Sequence, residues 1–219
     1  MRERAVVLGG GGHAKVVLDI LGDADEIEVT GFTSAGGEPA TLCGYRCLGT
    51  DAILDELLRS GVRCAFVAVG ENRRRDACLR SVKEKGFQLI NAISRRAIVS
   101  KHASLGEGVA LMPGAIVNAG ARLEDGVILN TNASVDHDCL VGRCAHIGPG
   151  TSIAGCVRVG AGALLGAGSA VVPGAVIGDW ATIGAGAVVT ADIPPGVVAV
   201  GVPAVVKPRQ RARVESQAE

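Results

Sequence analysis

Only five aromatic residues, Phe32, Tyr45, Phe66, Phe87 and Trp180, occur among 219. So sparse a set offers no row of rings for stacking bases, and twenty-two basic residues balanced by twenty-two acidic ones leave no net charge to grip a phosphate backbone. Nucleic acid is not an expected partner. No apolar run approaches the roughly 20 residues of a membrane helix, and Met-Arg-Glu-Arg followed by a short apolar stretch lacks the form of a signal peptide. No membrane contact is expected. The seven cysteines are odd in number, scattered and without a CxxC pair, which reads as reduced thiols in a cytoplasmic protein with no metal. What is abundant is apolar residues, at 48%, and glycine, at 32 positions. The core must be aliphatic and built from small residues.

Residues 1–90 alternate strand and helix signals. Apolar runs at Ala5–Leu8, Ile27–Phe32 and Cys64–Val69 read as strands, and the stretches His13–Leu21, Asp51–Arg59 and Asn72–Lys85 read as helices. Strands alternating with helices predict a parallel sheet covered on its faces, half of a Rossmann-like domain. The glycine run Gly9–Gly12 sits where the first strand feeds the first helix, a position suited to a pyrophosphate.

Residues 91–195 follow a period of six. Every sixth position from Ile93 to Val189, seventeen in all, is Leu, Ile or Val, against 11 of the 80 other positions in that span. Four residues beyond each aliphatic position stands a small or β-branched residue, from Ala97 through Ala187. Six residues match neither a helical nor a strand period, so the pattern predicts a β-solenoid of five to six coils with the aliphatic column inside. Glycines directly after the aliphatic residue, such as Gly142, Gly148 and Gly166, are expected to supply freedom at the bends. Residues 196–219 form a terminal segment in which Lys207, Arg209, Arg211 and Arg213 read as a solvated tail, with CoA phosphates as the alternative partner.

The hexapeptide pattern resembles the hexapeptide-repeat acyltransferases, whose fold is a left-handed parallel β-helix. Together with Gly9–Lys15, Val69-Gly70-Glu71-Asn72, Asn130–Cys139 and Val200–Ala204, it resembles the acetyltransferases that modify nucleotide-activated amino sugars. The resemblance implies an acetyl-CoA-dependent enzyme, a homotrimer with sites between neighbouring helices, and a nucleotide-linked amino sugar held by Gly11, Gly12, His13 and Gly70, with Asn130 beside the sugar. Thr33 and Ser34 occupy the base or ribose position, where relatives using uridine sugars tend to carry two aspartates. Their absence favours a guanosine sugar, and GDP-perosamine is the favoured acceptor.

Four histidines are present: His13, His102, His137 and His146. A base is needed to take the proton from an attacking amine, and an imidazole between Asp136 and Asp138 is suited to it. The resemblance makes His137 that base and Asp138 its support. It also makes His146 a contact to acetyl-CoA, with Ala167 and Ala185 lining the pantetheine groove through their backbones. The expected reaction is direct acetyl transfer to a sugar 4-amino group. A UDP-linked amino sugar, O-acetylation of a sialic-acid-type hydroxyl, and a non-catalytic nucleotide-sugar scaffold remain the alternatives.

Overall fold

A computed structural model describes residues 2–208, so Arg209, Arg211 and Arg213 lie outside the described residues. The chain opens with β1 (Glu3–Leu8), α1 (Gly12–Gly22) and β2 (Ile27–Thr33), followed by a hairpin of β3 (Thr41–Leu42) and β4 (Tyr45–Arg46). A short 3-10 turn leads into α2 (Leu54–Arg59), then β5 (Cys64–Val67), α3 (Asn72–Glu84) and β6 (Gln88–Leu89). The sheet order is β2-β1-β5-β6, all parallel. Strand order reverses between β1 and its two neighbours, which opens a crevice at the C-terminal ends of β1 and β5. The glycine run follows β1 and Gly70 follows β5, so both border that crevice.

From Ala92 onward the chain winds into a three-sided parallel β-helix, the architecture the repeat predicts. Seventeen two-residue strands, Ala92–Ile93 through Val188–Val189, stack at an interval of 18 residues, so that Ile128–Leu129 pairs with Ala110–Leu111 below and His146–Ile147 above. The interior is lined by two kinds of position. Leu111, Leu129, Ile147 and Leu165 come from the period-six positions, and Ala115, Ala133, Ala145 and Ala187 from the small positions four residues later, all wholly buried. Aromatic rings are absent from this core because each coil leaves room for an aliphatic and little else.

The glycines have two separate reasons. Those at the third turn residue, including Gly114, Gly120 and Gly168, take positive φ, the left-handed region that makes a corner tight. Gly142, Gly148 and Gly166 have ordinary φ, and a Cβ on Gly148 would lie 2.5 Å from the Leu165 carbonyl oxygen of the next coil. Stacking distance, rather than freedom at the bend, requires glycine there.

The α/β region is fixed to the solenoid on both sides of its sheet. On one side α1, Phe32 and Phe66 pack with Ala92, Ala110, Met112 and Ile128 of the first solenoid face. On the other, Leu79 of α3 packs with Cys144. Between them stands Arg75, 1% exposed, and each of its five N–H groups meets an acceptor. Nε donates to Gly126 O at 2.8 Å and one terminal nitrogen to Cys144 O at 2.7 Å and Asn72 Oδ1 at 2.9 Å. The other terminal nitrogen donates to Val69 O at 3.0 Å and Gly70 O at 2.9 Å. Asn72 donates in turn to Gly162 O at 3.0 Å, and Arg73 stacks 4.2 Å from the Trp180 ring centroid.

Replacing Arg75 with Met strands five acceptors in a dry interface. Urea unfolding should show a loss of about 3 kcal/mol or more, and Arg75→Lys, with three donors, a smaller loss. Equal stability of Arg75→Met and the parent would remove Arg75 as the fastening between the two regions.

Candidate active site

The glycine run is held open by backbone contacts. Gly9 has φ 125, its N–H donates to Thr33 O at 2.9 Å, and a Cβ there would meet Ala68 O at 2.5 Å. Gly11 caps α1 and Gly12 begins it; both are exposed, and nothing lies within 4 Å of a Cβ built on either. Bare N–H groups at the start of an 11-residue helix therefore face open space, where the helix dipole favours an anion. Thr33 is wholly buried, with its hydroxyl donating to Asp51 Oδ1 at 2.5 Å. It shapes the loop through its carbonyl and presents no side chain to the crevice. Ser34, half-buried, donates its hydroxyl to Glu38 O at 2.7 Å.

Behind the loop stand two histidines from distant parts of the chain. His13 belongs to the first turn of α1, and its Nε2 is buried without a hydrogen-bond partner among the described residues. His146 lies on the first solenoid face, where its Nε2 is 3.1 Å from Asn130 Nδ2. Asn130 Oδ1 accepts from the Thr131 N–H at 2.8 Å, which fixes the amide orientation and makes Nδ2 the donor to the ring. With Nε2 accepting, the neutral His146 ring carries its proton on Nδ1. Burial first, then the Arg75 charge, holds His146 at about 4, and burial, His146 and Arg75 hold His13 at about 4. Both rings are neutral at physiological pH.

His137 occupies another corner. Its turn, residues 136–139, joins Ser134–Val135 to Leu140–Val141, whereas the Asn130 turn precedes Ser134–Val135. Asp136 Oδ1 accepts from the His137 N–H at 2.7 Å and from Asn118 Nδ2, one coil below, at 2.9 Å. The ring is exposed, and its Nδ1 lies 2.9 Å from Asp138 Oδ2. A carboxylate can only accept, so Nδ1 carries the proton and Nε2 keeps its lone pair. The Asp138 hydrogen bond first, then the Asp136 charge, raises the His137 pKa above its ordinary value. Gly155, in the coil above, makes room for this ring, since a Cβ there would sit 2.5 Å from His137 Nε2.

The sequence-level candidates thus fall into two groups. Gly11, Gly12, His13, Gly70, Asn130 and His146 come together, while His137 and Asp138 sit a corner away. Ala167 and Ala185 are exposed on the corner column above Thr131, and the Ala167 carbonyl accepts from Gly186 N–H at 2.8 Å. His146 sits among the loop residues rather than on that column. Cys139 is buried in the solenoid core with its thiol donating to Ala154 O at 3.1 Å. Arg75 and Cys156 escaped the sequence reading; for Cys156 the signal was present, since it follows Asp138 by one 18-residue coil.

A hexapeptide solenoid carrying the His137–Asp138 pair, joined to an α/β region whose crevice lies at a helix N-terminus one corner away, is the framework of a group-transfer enzyme. Residues 4–82 match the PglD N-terminal domain, and residues 156–191 match the bacterial transferase hexapeptide of six repeats. PerB of Caulobacter crescentus, a GDP-perosamine N-acetyltransferase solved with CoA and GDP-perosamine, is 44% identical over 93% of this chain and 97% of its own, with a TM-score of 0.90. The acetyltransferase domain of PglB from Neisseria gonorrhoeae, solved with acetyl coenzyme A, is 37% identical over 94% of this chain and 100% of its own, with a TM-score of 0.88. The chain belongs to the hexapeptide-repeat nucleotide-amino-sugar N-acetyltransferases. WeeI from Acinetobacter baumannii, 23% identical over 94% of this chain and 100% of its own with a TM-score of 0.75, shares the fold. No helix among the described residues is long and apolar enough to cross a membrane.

The two half-buried histidines make stability depend on pH. Their folded-state values of about 4 lie below the ordinary 6.5, so the unfolded chain binds more protons between those limits. Their stabilisation is complete above pH 6.5 and is lost as pH falls towards 4. Melting temperature should drop across that window, and His13→Asn should flatten the drop; an unchanged slope in that variant would sink the assignment.

Proposed function

We propose that this chain transfers acetyl from acetyl-CoA to the 4-amino group of a GDP-linked 4-amino-4,6-dideoxy sugar, with GDP-perosamine the favoured acceptor. The observation that carries the reading is the His137–Asp138 pair, an exposed imidazole whose Nε2 is free and whose proton affinity is raised, on the fold PerB shares at 44% identity. The open N–H groups of Gly11 and Gly12 suit the pyrophosphate. The orphaned His13 Nε2 is positioned to hydrogen-bond the ligand, and the half-buried Ser34 lies where β2 ends, towards the base. Thr33 acts by supporting the loop. Asn130, oriented by Thr131 and His146, faces the sugar. Ala167 and Ala185 line the approach of the acetyl-CoA arm, His146 meets the arm at its foot from the loop side through its contact with Asn130, and Lys207 stands near the end of the described residues. No metal takes part.

In the reaction the sugar amine attacks the thioester carbonyl, a C–N bond forms, and the C–S bond breaks to release CoA. His137 Nε2 takes the proton lost by the nitrogen, and Asp138 steadies the imidazolium that results. Because the loop and His137 occupy different corners of one chain, we assign the complete site to a homotrimer in which one protomer's loop meets its partner's His137. A cytoplasmic location accords with nucleotide-sugar and acetyl-CoA substrates.

The test is CoA release with GDP-perosamine and with a UDP-linked 4-amino sugar, followed by product analysis. GDP-perosamine should be acetylated on nitrogen with the higher kcat/KM; a preference for the UDP sugar would overturn the acceptor assignment. His137→Ala should lower kcat by about 10²–10⁴. The base must be neutral to act, so activity rises with pH through the His137 pKa. Asp138→Asn should move that acid limb to lower pH, and an unmoved limb would detach Asp138 from the base.

A further inference from the structure

One side chain beside His137 has no part in the acetyl transfer. Cys156 stands directly one coil above Asp138, and both occupy the left-handed region, with φ 62 and 58. Stacked corners carry both side chains outward on the same column. The Cys156 thiol, a carboxylate oxygen of Asp138 and a ring nitrogen of His137 consequently lie within 4.8 Å of one another, all exposed. The supporting contacts are rigid: Asp136 anchors the His137 backbone, and Cys156 N–H donates to His137 O at 2.9 Å. Among the described residues this is the one cluster of three such donors.

A sulfur, a nitrogen and an oxygen donor this close can supply three corners of a zinc tetrahedron after small rotations of exposed side chains, with the fourth open to water. The thiol selects against Mg²⁺ and Ca²⁺, which take oxygen donors. We propose that Cys156, His137 and Asp138 form an inhibitory Zn²⁺ site laid over the catalytic base. On binding, the Cys156 thiol gives its proton to solvent, and sulfur, imidazole and carboxylate each donate a lone pair to the metal. No oxidation is involved. The imidazole can then no longer take a proton from the amine, so zinc blocks turnover by occupying the base and leaves the nucleotide crevice untouched.

The inference shares His137 with the proposed function, but metal binding can be read without turnover. Co²⁺ added to the full-length protein should produce a thiolate-to-metal charge-transfer absorption that Zn²⁺ abolishes by competition. Cys156→Ser should lack it. Cys156→Asn, whose side chain tolerates the left-handed backbone, is a second variant in which the band should be missing. In the CoA-release assay, Zn²⁺ that inhibits the parent at least tenfold should leave Cys156→Ser within twofold of its metal-free rate, with chelator restoring the parent. Retention of the absorption in both variants, or equal zinc inhibition of parent and Cys156→Ser, overturns the site. A chain that binds Co²⁺ through Cys156 yet acetylates no sugar would sink the acetyltransferase reading while leaving the metal site standing.

Discussion

The arrangement depends on one buried cation that has no carboxylate partner. Burial alone would make a guanidinium costly. Arg75 is instead enclosed by four backbone carbonyls and one amide oxygen, two carbonyls from the loop after β5 and two from solenoid corners. Desolvation lowers its pKa only to about 10, so the charge persists at neutral pH. The planar fork of donors ties Val69 and Gly70 to the turns at Gly126 and Cys144, and in doing so sets where the loop after β5 stands relative to the coils. The same positive charge disfavours protonation of His13 and His146. One residue thus supplies both a mechanical joint and the electrostatic setting of the crevice beside it.

The solenoid translates sequence into position through its 18-residue interval. A residue's place on a face or corner follows from its number, and its neighbours are the residues one coil away. Most corners place glycine at the left-handed third position. Asn132, Asp138, Cys144, Cys156 and Trp180 depart from this rule. Backbone strain at non-glycine residues is tolerated where another interaction offsets it. Cys144 meets Arg75 and Leu79, Trp180 meets Arg73, and Asp138 meets His137. Cys144 and Trp180 thus mark corners where the coil joins the α/β region, and Asp138 the corner that carries its contact to His137.

That logic also explains what the sequence disclosed. The solenoid was legible because its period is local and repeated seventeen times, and His137 because its charged neighbours are adjacent in the chain. The three helices fell near their expected bounds because their signals are local too. The β3–β4 hairpin was not foreseen, since strands of two residues leave almost no pattern. Arg75 was hidden for a different reason. Three of its partners lie within six residues but two lie 51 and 69 residues away, and four are carbonyls that every residue possesses. Likewise, no local signal tells that Thr33 turns its hydroxyl to Asp51, or that His146 meets Asn130.

Separation of the two groups of site residues constrains how the proposed reaction can be assembled. Asn130 and His137 are seven residues apart along nearly extended chain, so one side of the prism, roughly 20 Å, lies between their corners. Proton transfer requires contact within hydrogen-bond reach. A sugar whose pyrophosphate rests on Gly11 and Gly12 cannot place its amine on the His137 of its own chain without spanning that side. In the proposed homotrimer its shorter route is across an interface, to a corner presented by another solenoid. On the proposed reading the fold separates recognition from base catalysis within one chain, and association of chains becomes part of the catalytic proposal itself.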